Sequence, residues 1–525
     1  LRYLGRVKPK IEESVEGYDD RSVEPGVWRY ARARRVRVII DGADYFELVQ
    51  QAMLKASQRI LMIGWDFDTR IHLTQGRRWF EKGSNSKYPA RLGSFILWLN
   101  RHRPGLEIRI LKWSYSFVAM IQRGWMVLDL VRWARHRRID FKFDNRHPVG
   151  CSHHQKIVVI DDTVAVCGGI DITSRRWDTR EHLEVDERRV GPGGAHHAPW
   201  HDITMMMEGE IAGALDQLGR ARWLRAGGKP LKSLTPGGES AWPDGLEAQF
   251  EDVEVGIART RAAYDGLDGV DEVEQLFVAQ ISAAKHFVYM ENQYFASRVI
   301  CETIAKRLAE PDPPEIVIVH AEGADGWIEG QAMDPARAAL VQALEELDHN
   351  DKFHIYIPFT GETPIYVHAK LTIVDDCVLR IGSANLNNRS LGLDSECDVF
   401  IDCARPGNAH AAQAITALRH SLLAEHLGLA EEDIGNLLEA NGSMAGLIAW
   451  AGKQNSRYLQ PFHPAPHPEI VTDLATNEVL DPEKPEDMFD LGKQGRGLFR
   501  SGSLLARARA RLRHRKTRKI QAQDE

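Results

Sequence analysis

Cysteine is scarce in this chain and never clustered. Its six (Cys151, Cys167, Cys301, Cys377, Cys397, Cys403) stand singly in apolar or strand-like surroundings. With no Cys-x-x-Cys spacing, the pattern argues against a disulfide framework and suits buried thiols in a reducing compartment. Long apolar runs are missing too. None reaches the roughly 18–20 residues that span a bilayer, so no transmembrane segment is expected. Positive charge is not in excess either. A net charge of -7 gives no overall pull toward nucleic acid or anionic lipid and leaves any such pull to a local patch. Leu1-Arg2-Tyr3 runs straight into charged sequence, so no signal peptide is read. The chain does not open with Met, which leaves a trimmed leader and a signal-less export route open. The expected location is the cytoplasm or the face of a membrane. What is present, 43% hydrophobic and 27% charged over 525 residues, suits a globular protein with two or three cores.

The chain repeats itself. AMLKASQRILMIGWDF, from Ala52, parallels AQISAAKHFVYMENQYF, from Ala279: a helix end running into an apolar strand that closes in polar and aromatic residues. Further on, HHQKIVVIDDTVAVCGGID from His153 matches HAKLTIVDDCVLRIGSANLN from His368. Aligned without a gap, His154, Lys156, Asp161 and Gly168 fall on His368, Lys370, Asp375 and Gly382. A third echo, HDITMMMEG from His201 against SECDVFID from Ser395, places Asp202 and Glu396 each at the head of an apolar run. Matched blocks in one order mean duplication.

The expected organisation is an N-terminal extension (1–35), a first domain (36–225), a Gly/Pro/Ser-rich linker (226–245), a second domain (246–430) and a C-terminal arm (431–525). Strands alternate with helical stretches such as Ser94–Arg101 and Pro335–Leu347. This predicts an α/β fold, two duplicated α/β/α sandwiches related by a pseudo-twofold axis and sharing one site. The basic stretch RYARARRVRV from Arg29 reads as a solvated face. A run of about nine basic residues within LLARARARLRHRKTRK, from Leu504, reads as a helix or tail, with anionic lipid or nucleic acid as the partner its charge suits.

In a strand, residues two apart point the same way, so His154 with Lys156, and His368 with Lys370, present paired tips to one phosphate. A neutral histidine can attack phosphorus, and a protonated one can hand its proton to the leaving alkoxide. Two lysines supply positive charge to the equatorial oxygens without a metal. Asp202 and Glu396 are candidates to orient the imidazoles. Asp161 and Asp375 complete each motif and are counted among its catalytic residues, though either can also anchor the turn beyond its strand. Singly, either histidine would read as structural; paired with lysine, aspartate and the glycine turn, they read as catalytic. Cys151, His153, His196, His197 and His201 superficially suggest zinc but lack a second ligand pair with metal spacing, so no metal or other cofactor is expected.

The paired His-x-Lys-x-x-x-x-Asp blocks resemble the phospholipase D superfamily, and YMENQYF, GGIDITSRRWD, PWHDITMMMEG and IGSANLNNRS resemble its eukaryote-type subgroup. The resemblance runs from about Val36 to Leu423. It implies hydrolysis of phosphatidylcholine or a related phospholipid to phosphatidic acid, with head-group exchange to alcohols. It also implies His154 as nucleophile, His368 as acid and base, and Lys156, Lys370 and Asn385 on the phosphate. Asp171, standing where the second block has Asn385, departs from the pattern. Ser383, Gln293 and Tyr294, with Phe295 beside them, join Asn385 and Asp171 as residues expected at the substrate. The expected partner is a phospholipid surface, with no obligate protein partner, and a monomer suffices. A cardiolipin synthase-type transfer and a nucleic-acid phosphodiesterase are the alternatives. The acid-balanced core argues against the second, and the intact motifs argue against a non-catalytic scaffold.

Overall fold

The computed structural model describes residues 15–73, 88–113, 124–234, 239–323, 327–464, 476–478, 481–487 and 497–521. Among the described residues, fourteen of the strands form two sets of seven. The first comprises β1 (Arg29–Ile40), β2 (Arg59–Gly64), β3 (Glu107–Trp113), β4 (Ile139–Asp144), β5 (Ile157–Ile160), β6 (Val164–Gly168) and β7 (Ile203–Gly209). The second comprises β8 (Phe250–Arg261), β9 (Phe287–Asn292), β10 (Glu315–His320), β11 (Phe353–Thr360), β12 (Lys370–Val374), β13 (Val378–Gly382) and β14 (Glu396–Asp402).

Both sets are threaded alike. Three parallel strands, β2–β3–β4 and β9–β10–β11, form the outer part of each half. Antiparallel β5–β6–β7 and β12–β13–β14 continue inward from β2 and β9. β1 and β8 come last and pair with each other, Arg29 opposite Ile257 and Val36 opposite Phe250. The two halves thus share one continuous sheet whose seam is β1–β8. This corrects the reading of RYARARRVRV as a solvated face. Ala33, Val36, Val38 and Ile40 lie in the core, and Arg34 and Arg35 both pair with Glu208.

The helices repeat as well: α1 (Gly42–Lys55), α2 (Leu92–His102), α3 (Gly124–Trp133) and α4 (Glu210–Arg225), then α5 (Glu272–Ala283), α6 (Arg298–Leu308), α7 (Trp327–Glu345) and α8 (Ala411–Leu427). α2 buries a stripe of helical period, Leu92, Phe95, Ile96 and Leu99, while α4 and α8 are buried on most sides. α1–α3 and α5–α7 cover one face of the sheet over separate cores, while α4 and α8 cover the other over a core common to both halves. Covered on both faces, β5 is buried throughout, as its continuous Ile157–Ile160 run requires. The fold is therefore the expected duplicated α/β/α sandwich.

Of the linker, Ala241 and Trp242 tuck into the first half's core. The basic run from Leu504 is the helix Leu504–Gln521. Leu505 and Ala508 join the second half's core, and Arg515 pairs with Glu346, 2.7 Å away. Much of the arm before it (465–475, 479–480, 488–496) lies outside the described residues.

Candidate active site

His154 and His368 stand just ahead of β5 and β12, at matching ends of the two motif strands. Each is fixed by the other half. The His154 amide donates to the Ser395 carbonyl at 2.9 Å, and the His368 amide to the His201 carbonyl at 2.7 Å. The side chains repeat the exchange. His154 Nδ1 lies 3.0 Å from Glu396 Oε1, and His368 Nδ1 lies 2.7 Å from Asp202 Oδ2. Glu396 comes from the second half and Asp202 from the first, so the His–carboxylate pairs cross between the halves.

Both carboxylates are fully buried. Burial pushes Glu396 up to about 8 and Asp202 up to about 7, against the lowering pull of Lys156 on the first and Lys370 on the second. Burial also holds both imidazoles well below their ordinary value, aided by Lys156 and Lys370 at each ring and by Arg176 at His368. A neutral imidazole that shares its Nδ1 proton with a carboxylate keeps the Nε2 lone pair free. Two such rings, each under the charge of both lysines, can supply a nucleophile and a proton carrier to one phosphate.

The lysines are held alike and neutralised differently. Each Nζ donates to the carbonyl of its own histidine. Lys156 is ion-paired with Asp171 at 3.2 Å, whereas Lys370 faces the Gln293 amide oxygen at 3.3 Å, and burial brings Lys370 down to about 7. Asp171 also accepts from the Trp65 and Asp66 amides, so it serves Lys156 and the backbone, not a phosphate, which a carboxylate would repel. The buried Asn385 oxygen has no hydrogen-bond partner among the described residues. Gln293 donates to the Tyr366 and Tyr294 hydroxyls at 2.8 and 3.1 Å.

Three expectations need correcting. Asp161 and Asp375 do not meet the reacting groups. Asp161 accepts from the amides of Ser57, Gln58 and Arg59 and from the Ser57 hydroxyl; Asp375 accepts from those of Lys285, His286 and Phe287. Both sit at positive φ with the aspartate that follows, closing the β5–β6 and β12–β13 hairpins. Replacing Asp161 by Asn is expected to cost about 2–3 kcal/mol of stability. Denaturant titration should show this while kcat of the folded protein is unchanged. Ser383 is not at the substrate either: it is buried behind Glu396 and donates to it. Its counterpart Gly169 leaves room for Asp202, because a Cβ there would lie 2.0 Å from Asp202 Oδ1. Phe295 is a core residue, 1% exposed.

Other residues went unread. Ser390 also donates to Glu396, at 2.6 Å. Trp65, stacked on Trp113, presents its edge to His154 with centroids 6.3 Å apart; Trp200, stacked on Tyr366, leans over His368 at 5.1 Å. Behind His368, Asp41, His182, His201 and Glu425 are buried with ligand atoms all within 4.8 Å of one another. The other nitrogens of His182 and His201 rest on Asp178 and Glu291, at 3.0 and 2.7 Å. Two imidazoles and two carboxylates, with carboxylates behind both rings, fit a divalent cation. The cluster also balances its own charge: against burial, its carboxylates push His182 up to about 9 and His201 well above its ordinary value. No local spacing could show a set drawn from four segments.

A family profile described as Phospholipase D matches residues 338–464. Phospholipase D1 of Schizosaccharomyces pombe is 24% identical over 507 residues, covering 77% of this chain and 36% of that protein. Phospholipase D alpha 1 of Zea mays is 26% identical over 542 residues, covering 75% of this chain and 65% of that protein. The chain thus spans about a third to two thirds of the length of these relatives. Among solved structures, a phosphatidylserine synthase of Haemophilus influenzae aligns with 80% of this chain and 96% of its own, at 12% identity and a TM-score of 0.49. The chain is thus similar to the phospholipase D family over residues 338–464, and to phospholipases D of yeast and maize over most of its length.

Proposed function

We propose that the chain is a phospholipase D, hydrolysing phosphatidylcholine or a related phospholipid to phosphatidic acid and free head group. The crossed His154–Glu396 and His368–Asp202 pairs carry this reading, because a carboxylate on each Nδ1 leaves each Nε2 available to a phosphate. His154 Nε2 attacks phosphorus; a P–N bond forms, the head-group P–O bond breaks, and the proton held by the His368–Asp202 pair passes from His368 Nε2 to the leaving alkoxide. His368 then takes a proton from water, whose oxygen displaces His154 and releases phosphatidic acid. An alcohol in place of water yields a phosphatidyl alcohol. Lys156, Lys370 and the Asn385 amide hold the phosphate oxygens. Asp161 and Asp375 keep the strands in place, and Asp202, Glu396, Ser383 and Ser390 keep the rings oriented.

The test uses phosphatidylcholine vesicles, a primary alcohol and a chelator, with His154→Ala beside the parent chain. The expected result is phosphatidyl alcohol from the parent alone. Cleavage of a nucleotide diester, with no product from any common phospholipid, would move the protein to nucleic-acid chemistry.

A further inference from the structure

We propose that Asp41, His182, His201 and Glu425 form a structural zinc site, closed to solvent, behind the His368 ring. The site does not depend on the lipid reading, and the ion takes no part in the reaction.

The four residues converge from separate segments. Asp41 follows β1, His182 lies between β6 and β7, His201 precedes β7, and Glu425 is on α8. All four are buried. His182 Nε2 lies 3.1 Å from Glu425 Oε1 and 3.3 Å from Asp41 Oδ2. His201 Nδ1 lies 3.0 Å from Glu425 Oε1 and 3.2 Å from Asp41 Oδ1. Ligands on a tetrahedral zinc, with bonds of about 2.0–2.1 Å, stand roughly 3.4 Å apart, so these gaps need open only slightly to admit one.

Geometry separates the cluster from an ordinary buried salt bridge. His201 Nδ1 has two carboxylate oxygens within reach, and Asp41 Oδ2 has a ring nitrogen. Neither atom meets a partner in hydrogen-bond geometry among the described residues, an unusual state for a buried polar atom. The opposite ring nitrogens are held, His182 Nδ1 by Asp178 at 3.0 Å and His201 Nε2 by Glu291 at 2.7 Å, as histidines on a metal usually are. His182 sits at φ +41, a strained conformation that the surrounding structure enforces. Charge leaves room for an ion. The carboxylates of Asp41, Asp178, Glu291 and Glu425 are met by two arginines, Arg189 on Asp178 and Arg180 on Glu425. Two positive charges remain to be supplied, by ring protons or by one dication on neutral rings. Mixed nitrogen and carboxylate donors suit zinc, whereas magnesium and calcium take oxygen.

The duplication points the same way, because what the fold requires should recur in both halves and these residues do not. Ser395, just before Glu396, stands where the first half has His201. Thr260 is opposite Glu396 as Asp41 is level with Asp202. Ile63, opposite Ile157, answers to Glu291, opposite Leu371. Three matched positions differ together, and all three differences favour an ion on one side. Two ligand residues also brace the His368 pair. The Asp202 amide donates to Asp41 Oδ1 at 3.0 Å, and the His368 amide donates to the His201 carbonyl.

The test is the zinc content of the full chain, purified without a metal column from cells grown in zinc-supplemented medium. About one zinc per chain is expected in the parent, released on unfolding, against less than about 0.1 in His182→Asn. Asparagine there tolerates the positive φ and can still donate to Asp178. A control, His196→Ala with His197→Ala on the neighbouring loop, should keep the ion. A parent without zinc would leave ring protons as the balance and overturn the site. Zinc retained in His182→Asn, or lost from the loop control, would overturn it as well. Should His182→Asn not fold, cobalt-grown parent chain decides. Intense visible absorption of four-coordinate cobalt supports the site, and the weak spectrum of six-coordinate cobalt overturns it.

Discussion

Replacing His154 by alanine is expected to lower kcat by about 10^4-fold or more, because a nucleophile removed from a cooperating set takes most of the chemistry with it. Replacing His368 should cost about 10^2–10^4-fold, the range of a lost proton carrier. The two variants separate on a phosphatidyl ester of p-nitrophenol, whose leaving group needs no proton. His368→Ala should then release one equivalent of nitrophenolate in a burst and stall, since no base remains to activate water. His154→Ala should show no burst. The opposite pattern would exchange the roles of the two rings, and no burst from either would sink the covalent route.

Glu396→Gln and Asp202→Asn are each expected to lower kcat by about 10^2–10^4-fold, the cost of a misoriented tautomer. Each His–carboxylate pair gives up a proton in the window where burial holds its acid, about 8 for Glu396 and about 7 for Asp202. The nucleophilic pair must have lost that proton, so activity rises with pH on its account. The acid pair must still hold it, so activity falls on its account. The parent kcat/KM should trace a bell with limbs near 7 and 8, which belong to the pairs and not to single residues. The bell is the same whichever ring attacks, so only the burst assigns the roles. Glu396→Gln should erase the limb near 8 and Asp202→Asn the limb near 7. Stability should move the other way. A carboxylate whose folded-state pKa is raised binds its proton more tightly when folded, so folding weakens as pH climbs from about 4 to 8. Neither amide variant carries that burden, and both should melt no lower than the parent at about pH 9. Variants that melt lower there while keeping both limbs would show the carboxylates to be structural.

The motifs were legible because their meaning is local: His and Lys two apart on an apolar strand need no knowledge of the rest of the chain. Duplication was legible for the same reason, block by block. The crossing of Asp202 to His368 and Glu396 to His154 was not, since alignment pairs like with like and says nothing of which half a side chain leans on. The same blindness put Asp161 and Asp375 among the catalytic residues: spacing from His154 and His368 is visible in sequence, but the amides of Ser57–Arg59 and Lys285–Phe287 that claim them are a hundred or so residues away. Ser383 was misplaced because alternation gives a side chain's face and not its depth. RYARARRVRV shows how charge count misleads in a strand, where one face carries arginines and the other packs into the core.

The exchange across that seam bears on descent. A polypeptide carrying one half alone would hold a histidine with no carboxylate behind it and a carboxylate with no ring to orient. Such a half-length ancestor gains both partners only by pairing with its twin about a twofold axis, each copy lending the other what it lacks. Joining two such genes end to end turns a contact between equals into a contact within one molecule. Each copy is then free to drift. Asp171 against Asn385 and Gly169 against Ser383 are the record of two once-identical positions that no longer have to obey the same constraint.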